Sequence, residues 1–476
     1  MRAAWIATVA NIDWPTSSNL STAKQKEELI TMLDGLAKNN INTVIFQARP
    51  TADAFYLSTL EPWSRYLTGR QGSKPEPYWD PLTFLVQEAH LRFMEVHVWL
   101  NPYRVLNENG ISSLSQDHIY HSRKDLIVNY GGKYYFNPGL DDTRKHLNEV
   151  VRDIVERYEI DAIHFDDYFY PYPVGGMDFP DQDTYLKNQR GFTNKADWRR
   201  NNVDMVISEL RETIKSVKPW VEFGISPFGV WRNQHVDPTG SATRAGIQNY
   251  DDLYADILKW LREGTIDYVT PQLYWEIGKK VADYEILLDW WSKNSYDRKL
   301  YIGLFASGLE INKDAAWKRP NELARQLRMN KKYPELAGVM YYSARPFLRN
   351  PQGLNDSLQN NFYRHKAITP EHVGAEEVKA LHPTNIRILK DGSDAVLMWD
   401  PVQATGGQTV VHYIVYGFKG RRVGDMLDAA NILTLTNDHV LNLKQFDFKG
   451  YHTFVVTAVN RFRSESTPSY GVTRRL

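Results

Sequence analysis

The sequence predicts an α/β protein, a (β/α)8 TIM barrel that is followed by an all-β sandwich. Eight short apolar runs alternate with helical patterns over residues 1–365, and beyond them the hydrophobic period changes to two. Strands that are apolar along their length and alternate with helices belong to parallel sheets covered on both faces. Neither a G-x-G-x-x-G nor a P-loop motif follows any strand, which disfavours a nucleotide-binding sheet.

The predicted barrel begins with a strand at the start of the chain. The first helix is bounded by a candidate N-cap at Ser21 and a stop signal at Asn39, with apolar residues at helical spacing between them. Phe93 stands where a glycine is expected between a helix and a strand. The strand candidates are 3–10, 43–48, 94–100, 162–166, 221–227, 268–274, 300–305 and 338–342. The later helix candidates are 82–90, 142–158, 196–218, 250–262, 283–294 and 321–332.

The last quarter of the chain reads as a separate module. Residues 366–381 are polar, with Pro370 inside the segment and Pro383 just after it, so this segment is predicted to be a linker between a barrel domain at 1–365 and a β-sandwich at 382–476. Period-two runs occur at 385–388, 395–399, 412–416 and 451–459, with a turn at 390–393 between the first two. The run around Trp399, the Tyr413 and Tyr416 pair and the 454–460 strand resemble a fibronectin type III domain.

Composition narrows the classes of function. Lys+Arg and Asp+Glu both number 57, so the formal charge is zero, which argues against a general nucleic-acid or membrane-surface binder. No apolar run is long enough to span a membrane. The absence of Cys excludes disulfides, thiol nucleophiles and iron–sulfur clusters. Aromatic residues make up 13% of the chain; their apolar faces and polar edges suit sugar binding, although a large core would also account for them.

Polar and aromatic residues gather where the predicted barrel strands end. Reactive groups in TIM barrels sit at the C-terminal ends of the strands, so this pattern indicates a carbohydrate site. The strand-end residues are Asn11, Asp13, Trp14, Gln47, Arg49, Asp53, Asn101, Tyr103, Arg104, Asp166, Asp167, Tyr168, Tyr170, Ser226, Phe228, Trp231, Gln272, Tyr274, Trp275, Glu276, Tyr341, Tyr342 and Ser343.

Three carboxylates stand at such positions. Strand alternation places Asp166 on the inner face and leaves Asp167 free to turn either way at the strand end. The same alternation aligns Glu276 with Gln272 and Tyr274 on the sixth strand. A glycosidase needs one protonated and one ionised carboxyl group flanking the scissile bond. We therefore predict that Asp166 or Asp167 acts together with Glu276; helix capping or surface salt bridges are the structural alternatives, and retaining and inverting outcomes both stay open.

Other residues give weaker evidence for a catalytic or metal-binding site. His164 lies one layer below Asp166 and is predicted to be a buried, hydrogen-bonded histidine. No zinc-binding spacing occurs at the strand ends. The acidic loop with Asp178, Asp181 and Asp183 lacks the glycine and the closing glutamate of a calcium loop, so a solvated loop is the preferred interpretation. The sequence predicts neither a metal nor a cofactor.

Several longer motifs resemble the glycosyl-hydrolase-like 10 family of bacterial barrel proteins over essentially all of residues 1–360. The matching segments are 2–9, 46–50, 61–64, 79–82, 97–104, 164–171 and 271–275. The resemblance implies glycoside hydrolysis in the cell envelope, and members include a divisome-associated glycosidase that acts on peptidoglycan strands stripped of stem peptides. It also implies a periplasmic or lipoprotein-anchored protein whose signal segment is absent from this chain.

Under this interpretation the strand-end residues hold the sugars of a polysaccharide or glycan strand. Arg49 and Arg104 are candidates for pairing with a substrate carboxylate such as a lactyl group. The type III module suggests docking to a cell-envelope protein. A non-catalytic glycan-binding barrel, or a glycosidase acting on a dietary or host polysaccharide, would share these features. The predicted substrate-binding residues are Trp5, Gln47, Arg49, Asn101, Tyr103, Arg104, Tyr168, Gln272, Tyr274 and Trp275.

Overall fold

A closed barrel of eight parallel strands forms the first part of the molecule. The computed structural model describes residues 1–107, 110–319, 321–391 and 394–476. Around the barrel each strand pairs with its neighbours along the chain, and the last strand pairs with the first, which confirms the predicted barrel. Its strands are β1 (Arg2–Ile6), β2 (Thr43–Arg49), β3 (Glu95–Leu100), β4 (Ala162–Phe165), β5 (Glu222–Ile225), β6 (Tyr268–Val269), β7 (Lys299–Leu304) and β8 (Leu336–Tyr341).

Large side chains fill the interior of the barrel. Trp5, Trp99, Tyr268 and Tyr301 belong to one buried cluster, so the interior of the barrel is a packed core. Gly224 on β5 makes room for this packing, because a Cβ atom there would come within 1.9 Å of the Tyr268 ring. The functional face is therefore confined to the strand ends and the loops that follow them.

One helix follows each barrel strand and covers the outside. Ser21 caps the first of them by accepting a hydrogen bond from the backbone of Lys24, as predicted. Phe93 adopts a φ of 59°, the left-handed conformation for which a glycine was expected. The covering helices are α1 (Thr22–Lys38), α2 (Pro81–His90), α3 (Asp141–Arg157), α4 (Lys195–Val217), α5 (Ile257–Glu263), α6 (Tyr284–Ser292), α7 (Glu322–Asn330) and α8 (Arg345–Arg349).

Two features of the barrel differ from the sequence prediction. The helix predicted over 250–262 is interrupted, because Tyr254 has a φ of 52° and Asp256 starts a new helix by capping Lys259. A three-stranded antiparallel sheet, formed by Arg104–Leu106, Ile127–Tyr130 and Lys133–Phe136, lies between β3 and α3 along the chain and was not predicted. Additional α-helices of four to six residues are Arg65–Thr68, Ile119–Ser122, Gln182–Lys187, Asn249–Asp252, Gly308–Ile311 and Leu354–Ser357.

The chain divides into two compact units, Met1–Phe362 and Tyr363–Leu476. The strands described in the second unit pair antiparallel in two sheets, so its predicted all-β character is confirmed. Side chains from both sheets, including Trp399 and Phe454, form one core. The strands are Thr384–Asp391, Asp394–Asp400 and Val440–Asn442 in one sheet, and Val410–Lys419, Ile432–Thr436, Tyr451–Asn460 and Val472–Arg475 in the other.

The segment 366–381, predicted as a linker, is hydrogen-bonded within the second unit. The backbone N–H of His372 donates to the carbonyl of Phe462, and Ala375 is fully buried. Residues 392 and 393 of the predicted turn lie outside the described residues. Within the described ranges, no helix combines the length and the apolar character needed to cross a membrane.

Candidate active site

Asp166 lies just beyond the C-terminal end of β4 and is held by groups from two strand ends. The indole Nε1 of Trp99 donates to its Oδ2 across 2.9 Å, and the amide of Asn101 lies 3.3 Å from both carboxylate oxygens. The backbone N–H of Tyr168 donates to Oδ1 across 3.2 Å. Trp99 and Asn101 are two residues apart at the end of β3, so strand alternation aims both at the same carboxylate.

Asp167 is held by a different set of donors. The amide of Gln272, just after β6, donates to Asp167 Oδ1 across 3.1 Å, and the hydroxyl of Tyr172 donates to the other oxygen. Gln272 also donates to the carbonyl of Ser226 across 2.9 Å, which fixes the orientation of its amide. The ends of β4, β5 and β6 are thereby joined around this carboxylate.

The two aspartates have perturbed acidities. Burial, together with the neighbouring charge of Asp167, raises the pKa of Asp166 to about 6, although the positive charge of Arg104 opposes the shift. Burial also raises the pKa of Asp167, while the hydrogen bonds from Tyr172 and Gln272 act in the opposite direction. A pair of adjacent carboxyl groups with unequal surroundings suits general acid–base chemistry, which requires one protonated and one ionised group.

Arg104 and Tyr168 form one wall beside the pair. The guanidinium carbon of Arg104 lies 4.2 Å from the centre of the Tyr168 ring. Burial and the negative charge of Asp167 raise the pKa of Tyr168 to about 12, so its hydroxyl keeps its proton at neutral pH. Arg104 is thus placed where its charge acts on both aspartates.

Aromatic rings extend away from the pair along the strand ends. Tyr168 packs edge-to-face on Tyr172 with centroids 5.6 Å apart, and Phe228 does the same with Trp275 at 5.3 Å. Tyr274 stacks on Tyr342 at 5.7 Å. Of these rings, which together form an aromatic wall, all except Tyr172 were singled out among the predicted substrate-binding or strand-end residues. Rings with polar edges in this number suit a ligand with alternating apolar and hydroxylated surfaces.

His164 and Trp5 lie one layer deeper, inside the barrel. The ring nitrogens of His164 contact the hydroxyls of Tyr268 and Ser226, each at 2.9 Å, and Trp5 Nε1 approaches Nε2 at 3.4 Å. Burial lowers the pKa of His164 well below its ordinary value, which keeps the ring neutral. Trp5 is only 2% exposed. It therefore forms the floor beneath the site, and we do not retain it as a direct sugar ligand.

Three further residues predicted to bind substrate have buried side chains. The guanidinium of Arg49 pairs with Glu61 at 2.5 and 2.7 Å and donates to the carbonyl of Asn101. The side-chain oxygen of Gln47 accepts hydrogen bonds from two backbone N–H groups after β1. Tyr103 is 1% exposed. The side chains of these residues hold the strand ends in place. The sequence did not indicate this role, because alternation along a strand predicts the face on which a side chain lies but not how deeply it is buried.

Glu276 stands apart from the aspartates in its contacts. Its carboxylate accepts a hydrogen bond from Trp317 Nε1 at 3.2 Å and pairs with Lys279 at 3.3 Å. Trp317 in turn packs on Phe305, which stacks on Tyr274. Glu276 therefore contacts Trp317, which packs behind the aromatic wall, and does not contact the hydrogen-bond donors of Asp166 and Asp167.

Two acidic side chains of the loop after β4 form ion pairs with basic side chains of the same chain. Lys195 and Arg199, at the start of α4, both pair with Asp178 and Asp181. Among the described residues no group of His, Asp and Glu is arranged to hold a metal ion. These ion pairs give Asp178 and Asp181 a structural role in the loop.

Two site residues were missed by sequence reasoning. Trp99 shares its face with Asn101, so strand alternation was a signal for it. Tyr172 lies in an irregular loop, where no periodicity indicates the direction of a side chain. Its contact with Asp167 follows only from the fold.

The sequence was compared with models of known protein families. Residues 1–319 match the model described as glycosyl hydrolase-like 10. The chain belongs to this family. The match covers the barrel up to the loop that follows β7, and so includes every strand end that carries the aspartate pair and its hydrogen-bond donors.

Named relatives and solved structures are similar to this chain to different degrees. It is 40% identical to glycosyl hydrolase YngK of Bacillus subtilis over 100% of this chain and 93% of that protein. It is 38% identical to glycosyl hydrolase DigH of Escherichia coli K12 over 74% of this chain and 84% of that protein. The glycoside hydrolase domain of PgaB (BpsB) from Bordetella bronchiseptica is 13% identical, with a TM-score of 0.49 over 75% of this chain and 98% of that one.

Proposed function

We propose that this protein hydrolyses O-glycosidic bonds in an amino-sugar polymer of the bacterial cell envelope, with peptidoglycan glycan strands as the substrate. The observation that carries the proposal is the pair Asp166 and Asp167, buried at the mouth of the barrel and held by separate donor sets beside a row of aromatic rings. Membership of a glycosyl hydrolase-like family supports the reaction class. The choice of polymer rests on the family resemblance of the sequence motifs.

Asp166 is proposed as the general acid. With a pKa of about 6 it still carries a proton in mildly acidic solution. It gives that proton to the glycosidic oxygen as the bond to the anomeric carbon breaks, and the electron pair of that bond leaves with the oxygen. Trp99 and Asn101 hold the carboxyl group in place, so little reorganisation is needed when it acts.

Asp167 is proposed as the ionised partner. The hydrogen bonds from Tyr172 and Gln272 stabilise its charged form. A carboxylate here stabilises the positive charge that develops at the anomeric carbon. Water completes the hydrolysis by adding its hydroxyl to that carbon, and its remaining proton restores Asp166.

For Glu276 we propose a supporting role, which differs from the catalytic role that the sequence analysis predicts. Its hydrogen bond to Trp317 holds the ring that backs the aromatic wall. The proposed sugar-binding residues are those that border the pair and the wall. They are Arg104, Tyr168, Tyr172, Gln272, Tyr274, Trp275 and Tyr342. Asn101, predicted to bind substrate, is fully buried and instead holds Asp166.

The division of the chain into domains, and its location, are proposed from the sequence motifs. We propose a catalytic barrel at 1–365, a connecting segment at 366–381 and a fibronectin type III domain at 382–476. The last serves to dock the enzyme to a cell-envelope protein. The seven antiparallel strands of the second unit, packed as two sheets around Trp399, support the type III assignment. We also propose a periplasmic or lipoprotein-anchored location.

The test is digestion of purified glycan strands, with and without stem peptides, followed by mass spectrometry of the products. The wild-type protein is expected to release shorter saccharides, and Asp166→Asn is expected not to. Asp183→Asn, an exposed carboxylate on a short helix, is the matched control and should behave like the wild type. Binding without turnover would favour a non-catalytic glycan-binding barrel, and turnover of plant or host polysaccharides alone would overturn the proposed substrate.

A further inference from the structure

One end of the four-stranded sheet in the second unit carries a cluster of basic side chains. The backbone N–H of Gly420 donates to the carbonyl of Tyr451 across 2.7 Å, so the loop after strand Val410–Lys419 lies against the start of strand Tyr451–Asn460. Across the sheet, Arg475 of the edge strand is the direct partner of Tyr451. We call this region the basic end. Its basic residues are Lys419, Arg421, Arg422, Arg474 and Arg475.

The positive charges of the basic end are not balanced by neighbouring acids. Among the described residues the ion pairs of the second unit use other basic side chains, and all five of the basic end except Arg474 are exposed. The guanidinium carbon of Arg421 lies 3.9 Å from the centre of the Tyr451 ring. Cross-strand partners such as Tyr451 and Arg475 have Cβ atoms about 5 Å apart. Two arginines therefore neighbour one tyrosine ring, and an anionic partner would relieve their repulsion.

Exposed aromatic and aliphatic side chains adjoin these charges. Tyr470, just before the edge strand, is 92% exposed, and Val423, in the loop after Arg422, is 45% exposed. The two lie at the same place, because a Cβ atom on Gly471 would come within 3.1 Å of Val423 Cγ2. Tyr451 is itself 39% exposed. Tyrosine and arginine side chains, which combine an apolar body with a polar tip, are favoured at the boundary between water and a lipid bilayer.

The charge of the whole chain does not describe this region. The formal net charge is zero, which argues against a general membrane-surface binder. At physiological ionic strength, however, charges more than about 8 Å apart are largely screened from one another in water. A surface that approaches the basic end therefore meets a local positive field, whatever the charge of distant parts of the chain.

We propose that the basic end of the second unit binds anionic phospholipid headgroups at a membrane surface. The arginines bind the headgroup phosphates, because a guanidinium group donates parallel hydrogen bonds to two phosphate oxygens. Tyr470 and Val423 enter the interface and remove apolar surface from water. A soluble polyanion would match the charges but would leave these two side chains in water. The proposal goes beyond the hydrolysis of glycans and is separate from the protein docking proposed for the same unit.

The experiment is co-sedimentation of the full chain with vesicles of phosphatidylcholine alone, or of phosphatidylcholine and phosphatidylglycerol at about three to one. The wild-type protein is expected to bind the anionic vesicles at least about tenfold more tightly at low salt, and high salt should reduce the difference. Arg475→Gln should weaken binding to anionic vesicles about fivefold, and Arg421→Gln with Arg475→Gln about 10- to 30-fold. Tyr470→Ser should weaken it at low and high salt alike, because this contribution is not electrostatic. The control Arg387→Gln makes the same change in net charge on the other sheet and should bind like the wild type.

The outcomes decide this proposal independently of glycan hydrolysis. Equal binding to both kinds of vesicle, no binding to either, or binding that the double variant leaves unchanged would overturn it. Soluble polyphosphate is the second probe: if it binds as tightly as the anionic vesicles and Tyr470→Ser weakens neither, the partner is a polyanion in solution and the membrane proposal fails. Thermal melting of each variant confirms that it is folded.

Glycan hydrolysis by the same variants provides a separate reading. It should match that of the wild type, because the basic end contributes no residue to the aspartate pair or the aromatic wall. A protein that binds anionic vesicles but hydrolyses no glycan would leave the membrane proposal standing while the proposed function fails.

Discussion

The side-chain amide of Gln272 donates a hydrogen bond to Asp167 across 3.1 Å, although the two residues are 105 positions apart in the chain. Closure of the barrel brings the ends of β4 and β6 to the same face, and a second hydrogen bond from the same amide to Ser226 includes β5. The carboxylate is therefore positioned by backbone elements on three strands. This is the kind of rigid support that preorganised catalytic groups require.

The rate of hydrolysis should depend on the protonation of Asp166. In the proposed mechanism Asp166 donates a proton, and its pKa is about 6, so kcat/KM should be high below that value and fall about tenfold per pH unit above it. Asp167 must be ionised, so kcat/KM should also fall at the acidic end. The two limbs belong to the coupled pair rather than to single residues. A pH–rate profile on glycan strands checks this, and a rate that stays level from pH 6 to pH 8 would contradict it.

Removing the hydroxyl of Tyr172 should impair Asp167. Tyr172→Phe deletes a donor that favours the ionised carboxylate, so the pKa of Asp167 should rise and the acidic limb of kcat should move to higher pH. We expect kcat to fall about tenfold near neutral pH, in line with the loss of one hydrogen bond to a charged group. Kinetics of Tyr172→Phe beside Tyr185→Phe, a buried tyrosine of the short helix Gln182–Lys187, provide the comparison. An acidic limb at the same pH as in the wild type would show that Tyr172 does not lower the pKa of Asp167.

The ionised carboxylate of Asp166, the proposed general acid, should lower the free energy of unfolding. The folded-state pKa of Asp166 is raised from 3.8 to about 6, so the folded protein holds this proton more tightly than the unfolded chain. The contribution of Asp166 to stability is therefore present at low pH and lost as pH rises from about 4 through about 6. Asp166→Asn should raise the free energy of unfolding at pH 7.5 by about 1 to 3 kcal/mol.

Denaturant unfolding of both proteins measures this difference. The gain should shrink at pH 4.5, where Asp166 is protonated in the folded wild-type protein. A variant that is less stable than the wild type at pH 7.5 would show that the ionised carboxylate stabilises the fold, contrary to the burial of this group.

Replacement of Glu276 distinguishes the structure from the sequence-based assignment. Glu276 contacts Trp317 and Lys279 and none of the donors of the aspartate pair, so Glu276→Gln should keep kcat within about tenfold of wild type. General acid–base groups typically contribute 10²–10⁴-fold. A loss of that size for Glu276→Gln, measured on the same strands, would restore it as a catalytic carboxylate.

Part of the site could be predicted from the sequence, and the reason lies in strand geometry. Asp166 and Gln272 follow apolar strands, and a barrel brings the C-terminal ends of its strands together, so their proximity follows from the topology. The same rule led to the prediction that Arg49 and Gln47 bind substrate, whereas both side chains are buried. Both point toward the site face of β2 by alternation, but their partners Glu61 and the backbone after β1 lie in loops whose course the sequence does not indicate.

The parts of the fold that escaped prediction are short or irregular. The small sheet that carries Arg104 has strands of three or four residues, too short for a period of two to be distinguished from chance. Tyr254 interrupts a helix through a left-handed backbone that no local signal marked. Tyr172 reaches Asp167 from a loop. Each of these is fixed by tertiary contacts rather than by local sequence preference.

The most direct test of the central claim compares two leaving groups. The proposed glycan-strand substrate has a poor leaving group that, in the proposed mechanism, needs a proton from Asp166. The nitrophenolate of a nitrophenyl glycoside of the same sugar leaves without one. We predict that Asp166→Asn loses about 10²–10⁴-fold of its turnover on the strand but less than about tenfold on the nitrophenyl glycoside. Equal losses on both substrates, or no loss on the strand, would contradict the assignment of Asp166 as the general acid.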